Sequence, residues 1–204
     1  MMLIEETGVP AGALPVAALR SHLRLGTGFD MPEDAAETAA LQGFLRAAIA
    51  TIEARTGKVL LRRRFVMRLD DWRDRLGQSL PLAPVLAVER IAIEDGAGTE
   101  TELPPESWRL VPDSQRPMIL PAGVVLPHVP RRGSLSVRFE AGFGESWDEV
   151  PSDLAHAVIM LAARYYEVRH DEAARQALPF GVSALIEKWR AVRTLAGRGS
   201  REWR

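Results

Sequence analysis

The longest helical signal in the chain lies between Pro32 and Gly57. Leu41, Phe44, Leu45, Ala48, Ile49 and Ile52 recur at spacings of three and four, which lines one face of a helix with apolar side chains. Pro32, Glu33 and Asp34 open it, and Arg46 and Arg55 lie toward its other end; that charge order suits the helix dipole. Gly57 is placed to terminate it. A shorter helix precedes it, entered at Pro15, carrying Val16, Leu19 and Leu23 and stopped by Gly26 and Gly28.

From Val59 the period changes to two. Phe65, Met67 and Leu69 alternate with Arg64 and Arg68, which predicts a half-buried strand that gives way to a loop at Asp70-Asp71. Val85, Val88, Ile91 and Ile93 predict a second extended stretch, closed by the turn signal Asp95-Gly96. Short extended pieces follow at 100–103, 108–111 and 118–120, in a region that seven prolines between 104 and 130 keep from forming long strands. Leu135, Val137 and Phe139 alternate once more before Gly142 and Gly144. Pro151, with Ser152 as the capping residue and Asp153 after it, then opens a helix whose stripe is Leu154, Ala157, Val158, Leu161, Ala162 and Tyr165. Leu178-Pro179-Phe180-Gly181 breaks the chain, and Val182, Leu185, Ile186 and Trp189 form a final amphipathic run.

The pattern predicts an α+β protein, with helical segments at both ends packed together and a small irregular β subdomain inserted between them. It divides as one domain: N-terminal helices over 1–57, the β subdomain over 58–144, C-terminal helices over 150–195 and a basic tail over 196–204. At 204 residues and 47% hydrophobic, the chain can bury a substantial core without a second large domain.

A net charge of −1 gives no global attraction to nucleic acid or to an acidic membrane. There is no cysteine, so disulfides and thiolate chemistry are excluded. No apolar run approaches the ~20 residues of a membrane-spanning helix, and the reading is of a soluble intracellular product. Charge is concentrated at one place: 185–204 carries six basic and two acidic residues. Trp189, Arg190, Arg193, Arg198, Arg201, Trp203 and Arg204 form the best candidate partner-binding surface, since tryptophan and arginine anchor interfaces most often. The competing reading places Trp189 in the core stripe and leaves the rest as a solvated end.

Candidate chemistry elsewhere is sparse. His22, His128, His156 and His170 lack the paired spacing of metal ligands, and no metal or cofactor is expected. Asp70, Asp71 and Asp74, and Asp148, Glu149 and Asp153, read as turn and helix-start residues rather than paired catalytic acids. Ser146 lacks the setting of a hydrolase nucleophile. Arg62-Arg63-Arg64 could face phosphates, but in a strand Arg63 points opposite to its neighbours, which favours an exposed strand face or ion pairs between subunits.

Several pieces, in order, carry a resemblance. They are Leu14-Pro15-Val16 with His22-Leu23-Arg24, Ile52-Glu53-Ala54-Arg55-Thr56-Gly57, Val137-Arg138-Phe139-Glu140-Ala141-Gly142-Phe143-Gly144, Val150-Pro151, Tyr165-Tyr166-Glu167 and Leu178-Pro179-Phe180-Gly181-Val182. The chain resembles the head-tail connector, or adaptor, family of tailed bacteriophages and gene transfer agents. The resemblance implies a non-enzymatic structural role: a homo-oligomeric ring, commonly of twelve subunits, beneath the portal protein. A stopper or tail-completion protein would lie on its other side, and DNA would pass through the lumen without sequence recognition. It also implies assembly in the bacterial cytoplasm, incorporation at the head-tail junction of the particle, and portal docking through the segment from Leu178 onward. A nucleic-acid-binding module and a small hydrolase are the alternatives from other functional classes.

Overall fold

Strand β8, Ser134–Ala141, is the central strand of the larger sheet. Its alternating Leu135, Val137 and Phe139 are buried, and it hydrogen-bonds antiparallel strands on both sides. Strand β2, Arg63–Leu69, pairs with it in the register Arg63↔Ala141 to Leu69↔Leu135. Strand β4, Val85–Glu94, pairs on the other side with bulges at Leu86 and Glu89. The computed structural model describes residues 1–25, 35–168 and 178–190. Within these, two further edge strands complete the sheet, β1 (Met2–Glu5) beside β2 and β5 (Glu100–Glu102) beside β4. A second sheet, in the order β3 (Gln78–Ser79), β7 (Met118–Pro121) and β6 (Trp108–Val111), is built from the proline-rich region. Prolines keep its strands to four residues or fewer, as the sequence predicts.

Two hydrophobic cores result. One is formed by Phe65, Met67, Ile91, Val137 and Phe139 of the large sheet with Trp72, Leu80, Ile119 and Leu126; the Phe65 and Phe139 rings stack at 5.8 Å. The other is helical, gathering α1 (Val16–Leu23), α2 (Ala35–Thr56), α3 (Ser152–Glu167) and α4 (Phe180–Ile186) around Leu45, Ile49, Ile52, Leu154, Leu161 and Val182. The terminal helices pack on one another with the β portion between them in sequence, which is the predicted α+β arrangement.

Helix ends depart from expectation in two places. α1 stops at Leu23 because Arg24 adopts a left-handed conformation at φ 55° and returns its amide to Arg20 and Ser21; Gly26 and Gly28 lie outside the described residues, as do Pro32, Glu33 and Asp34. Ser152 is the first residue of α3 and makes no capping bond; Pro151 precedes it, and Asp153 Oδ1 accepts the Leu154 amide at 3.0 Å. Gly57, at φ 68°, ends α2 as predicted.

The Ala141-Gly142-Phe143-Gly144 turn joins the two cores. Gly142 has φ 139°, and a Cβ there would lie 2.5 Å from the Arg62 backbone, so only glycine fits. A Cβ on Gly144 would strike the Glu149 carboxylate. This close approach allows Gly142 to donate to Pro84 O, Phe143 to Leu60 O and Arg62 to Gly144 O.

Candidate partner-binding surfaces

Trp189 ends a short 3-10 turn, Glu187–Trp189, that continues α4. Its ring stands edge-on to Phe143 at 5.6 Å, its Nε1 donates to Asp153 Oδ2 at 2.7 Å, and Lys188 Nζ lies over its face at 5.1 Å. Lys188 also pairs with Asp153 at 2.8 Å. Burial pushes the Asp153 carboxyl up, but hydrogen bonds from Lys188, Trp189 and the Leu154 amide outweigh it and hold the pKa below the usual aspartate value. Trp189 is therefore half-buried and tied to the start of α3, with only part of its surface facing outward. Arg190 is exposed and pairs locally with Glu187 at 3.2 Å. Arg193, Arg198, Arg201, Trp203 and Arg204 lie outside the described residues.

Phe180 lies in the segment from Leu178 onward that the resemblance ties to docking but is not singled out among the candidate residues, and it is 89% exposed at the first turn of α4. The Pro-Phe-Gly setting marked a chain break, but only the fold shows that the aromatic ring points away from the core.

The triple arginine divides as its strand period demands. Arg63 is buried and reaches Glu5 at 2.8 Å and also Glu53 of α2, whose same carboxylate oxygen accepts the Leu60 amide. Burial pushes the Glu53 carboxyl up against the opposing pull of Arg63. Arg62 and Arg64 project from the opposite face and both meet Glu140, with Glu145 and Glu89 as second partners. Hydrogen bonds from Arg62, and secondarily from Arg64, hold the Glu140 carboxyl low despite its partial burial. The same face carries Arg138 with Glu6 and Arg90 with Glu100 and Glu102. These arginines pair within the chain, where the sequence allowed pairing between subunits. The result is a sheet face densely covered in charge but largely neutralised by its own carboxylates. Beside its upper end lies a cleft of about 520 Å³ lined by Thr7, Gly8, Pro10, Arg62, Arg64 and Glu145.

The other sequence candidates are dispersed. Ser146 and Glu149 form a reciprocal cap on the turn 147–149, with the Ser146 amide and hydroxyl both directed to Glu149 Oε2. Asp71 and Asp74 accept the amides of Trp72 and Leu76 in an exposed loop. His22, His128 and His156 are exposed, and His170 lies outside the described residues. Among the described residues no group of three or more histidines and carboxylates is placed to hold a metal ion, and no helix is long and apolar enough to cross a membrane.

No protein-family model and no curated protein matches the chain. Solved structures do. A chain in the neck of an empty gene transfer agent particle, computed with C6 symmetry, is 55% identical, with a TM-score of 0.87 and coverage of 97% of this chain and 100% of that one. A chain in the virion of a native gene transfer agent particle is 55% identical at TM-score 0.84, with the same coverage. One in the neck of the native particle, computed with C12 symmetry, is 52% identical at TM-score 0.82, again with the same coverage. With more than half of its residues shared along almost its whole length, the protein belongs to the head-tail connector family of tailed bacteriophages and gene transfer agents.

Proposed function

We propose that this protein is a structural subunit of the head-tail junction that forms a ring between the capsid portal and the tail. The observation that carries this reading is the 55% identity, over 97% of the chain, to a protein of a particle neck solved with cyclic symmetry. Cyclic rings close through head-to-tail contacts between unlike surfaces, and the C12 symmetry of a 52% identical relative's neck supports twelve subunits. The portal lies on one side, a stopper or tail-completion protein on the other, and DNA passes through the lumen. Assembly takes place in the bacterial cytoplasm before the subunit becomes part of the particle. Its role is scaffolding, not catalysis.

Portal docking is assigned to Trp189, Arg190, Arg193, Arg198, Arg201, Trp203 and Arg204. Trp189 supports this assignment as a fixed root, bound to Asp153 and Phe143, from which the basic end departs. Arginine-rich segments next to an aromatic suit an acidic, partly apolar acceptor. The self-neutralised sheet face is compatible with free passage of DNA, because arginines already held by carboxylates release few counterions from a duplex.

Light scattering on the purified chain mixed with the portal protein from its own gene neighbourhood tests both statements. A ring-sized complex that is lost on truncation after Leu195 is the expected result. Unchanged association of the truncated chain would overturn the docking assignment, and no association of either form would overturn the portal reading.

A further inference from the structure

The two borders of the large sheet are guarded differently. On one border, β5 is only three residues long and carries Glu100 and Glu102, the short and charged edge that resists strand addition. On the other border, β1 reads Met-Leu-Ile-Glu, and all four residues are exposed. Met2 is 51%, Leu3 38% and Ile4 37% accessible, and alternate backbone groups of an edge strand have no partner on its open side. β1 is not loosely attached. It is in register with β2 from Met2↔Arg68 to Glu5↔Phe65, and Glu5 and the adjoining Glu6 are anchored to Arg63 and Arg138 at 2.8 and 2.9 Å. A firmly held apolar border needs a cover.

The opposite flank has its own opening. β5 pairs only with Ala92, Ile93 and Glu94 of β4, which leaves the stretch from Leu86 to Glu89 without a neighbouring strand on that side among the described residues. Leu86 is the bulged residue there and is 47% exposed. The bulges disfavour a regular ladder while turning an aliphatic side chain outward. Each pairing in the series β1, β2, β8, β4 is antiparallel, so β1 and β4 run in opposite directions. Rotation about a ring axis preserves the component of strand direction along that axis, so with the strands running along the axis β1 of one copy and β4 of the next meet antiparallel, with unlike surfaces on opposite flanks, as a closed heterologous ring requires.

We infer that the β1 border of each subunit docks on the Leu86 flank of β4 in the next copy, with Met2 and Ile4 against Leu86. This rests on the ring reading above and specifies which surfaces close it.

The natural absence of cysteine makes the test direct. The full chain carrying both Ile4→Cys and Leu86→Cys is assembled with the portal protein and treated with a short bis-maleimide linker. A ladder of covalent multimers is expected from the double variant, heterodimers only from a mixture of the two single variants, and no self-linked product from either single variant. Dimers from Ile4→Cys alone would show symmetric pairing of two β1 strands and overturn the inference. So would linkage of the Ile4→Cys thiol to the portal protein in place of another copy. If light scattering finds rings but the double variant gives no ladder, the edge assignment fails and the ring stands. If no ring forms, the ring reading fails first and takes the inference with it. A complementary variant, Leu86→Asp, leaves β1 and its pairing with β2 untouched, and loss of rings with an unchanged melting temperature is expected; rings formed as in the parent would overturn the inference.

Discussion

The indole N–H of Trp189 donates to Asp153 Oδ2 at 2.7 Å, joining the last described turn of the chain to the first turn of α3. Replacing Trp189 with Ala removes a half-buried ring, its edge contact with Phe143 and that bond, and should cost about 3 kcal/mol. Urea unfolding measures it. Trp189→Phe should recover much of this loss, since packing contributes more than the single hydrogen bond.

The same pair makes stability depend on acidity. The folded pKa of Asp153 is lowered, so its contribution is present above the unfolded aspartate value of about 3.9 and is lost as pH falls through the folded value. Asp153→Asn should be less stable than the parent at about pH 7, and the gap between the two should close as the pH is taken below about 4. Thermal melts across that range show whether it does.

Arg63, only 6% exposed, is a buried cation shared by two carboxylates. Arg63→Met alone strands the Glu53 carboxylate and should cost about 3–5 kcal/mol, while Glu53→Leu alone should cost less, because Glu5 still pairs with Arg63. The double variant Arg63→Met with Glu53→Leu should recover most of that loss. A double-mutant cycle in guanidinium chloride gives the coupling.

Gly142→Ala places a Cβ against the Arg62 backbone at a φ that alanine rarely adopts. The expected cost is about 2–4 kcal/mol. Gly43→Ala, on a helix surface with open space around it, should be neutral or stabilising by up to about 1 kcal/mol, which makes it the matched control.

The charged sheet face predicts DNA behaviour. Glu140→Gln removes a carboxylate shared by Arg62 and Arg64. Duplex binding, weak in the parent, should tighten at low salt, and the slope of log K against log salt should steepen by about one for each guanidinium freed. Fluorescence anisotropy with a random duplex, between about 50 and 200 mM salt, is the measurement. An unchanged slope would mean that Glu145 and Glu89 suffice to keep both arginines paired.

Periodicity exposed most of the fold. β2, β4, β6, β7 and β8 lie where alternation and turn residues put them, and α2 and α3 follow their apolar stripes. β1 left no such trace, because all its residues are exposed and Met-Leu-Ile-Glu has no alternating pattern to read; its existence depends on partners sixty or more positions away. The burial of Arg63 was likewise invisible, since its neutralising carboxylates come from β1 and α2. Of the residues proposed to dock, Trp189 was legible both as a stripe position and as an interface type, and the fold gives it a half-buried ring tied to Phe143 and Asp153. Phe180 could be recognised as a surface aromatic only after α4 had been placed.

β8 occupies the middle of the large sheet although it is the last strand among the described residues. Its register joins Arg63 to Ala141 and Leu69 to Leu135, so β2 has no central partner until residue 141 has been made, and the helical core waits longer still for α3. Contacts of such sequence separation form slowly. During synthesis the N-terminal half leaves the ribosome with half-finished faces, and the subunit becomes competent to join other molecules only when nearly all of it has been translated. A chain ended before β8 would lack the strand that joins β2 to β4, so the large sheet and both of its flanks depend on the last third of the sequence.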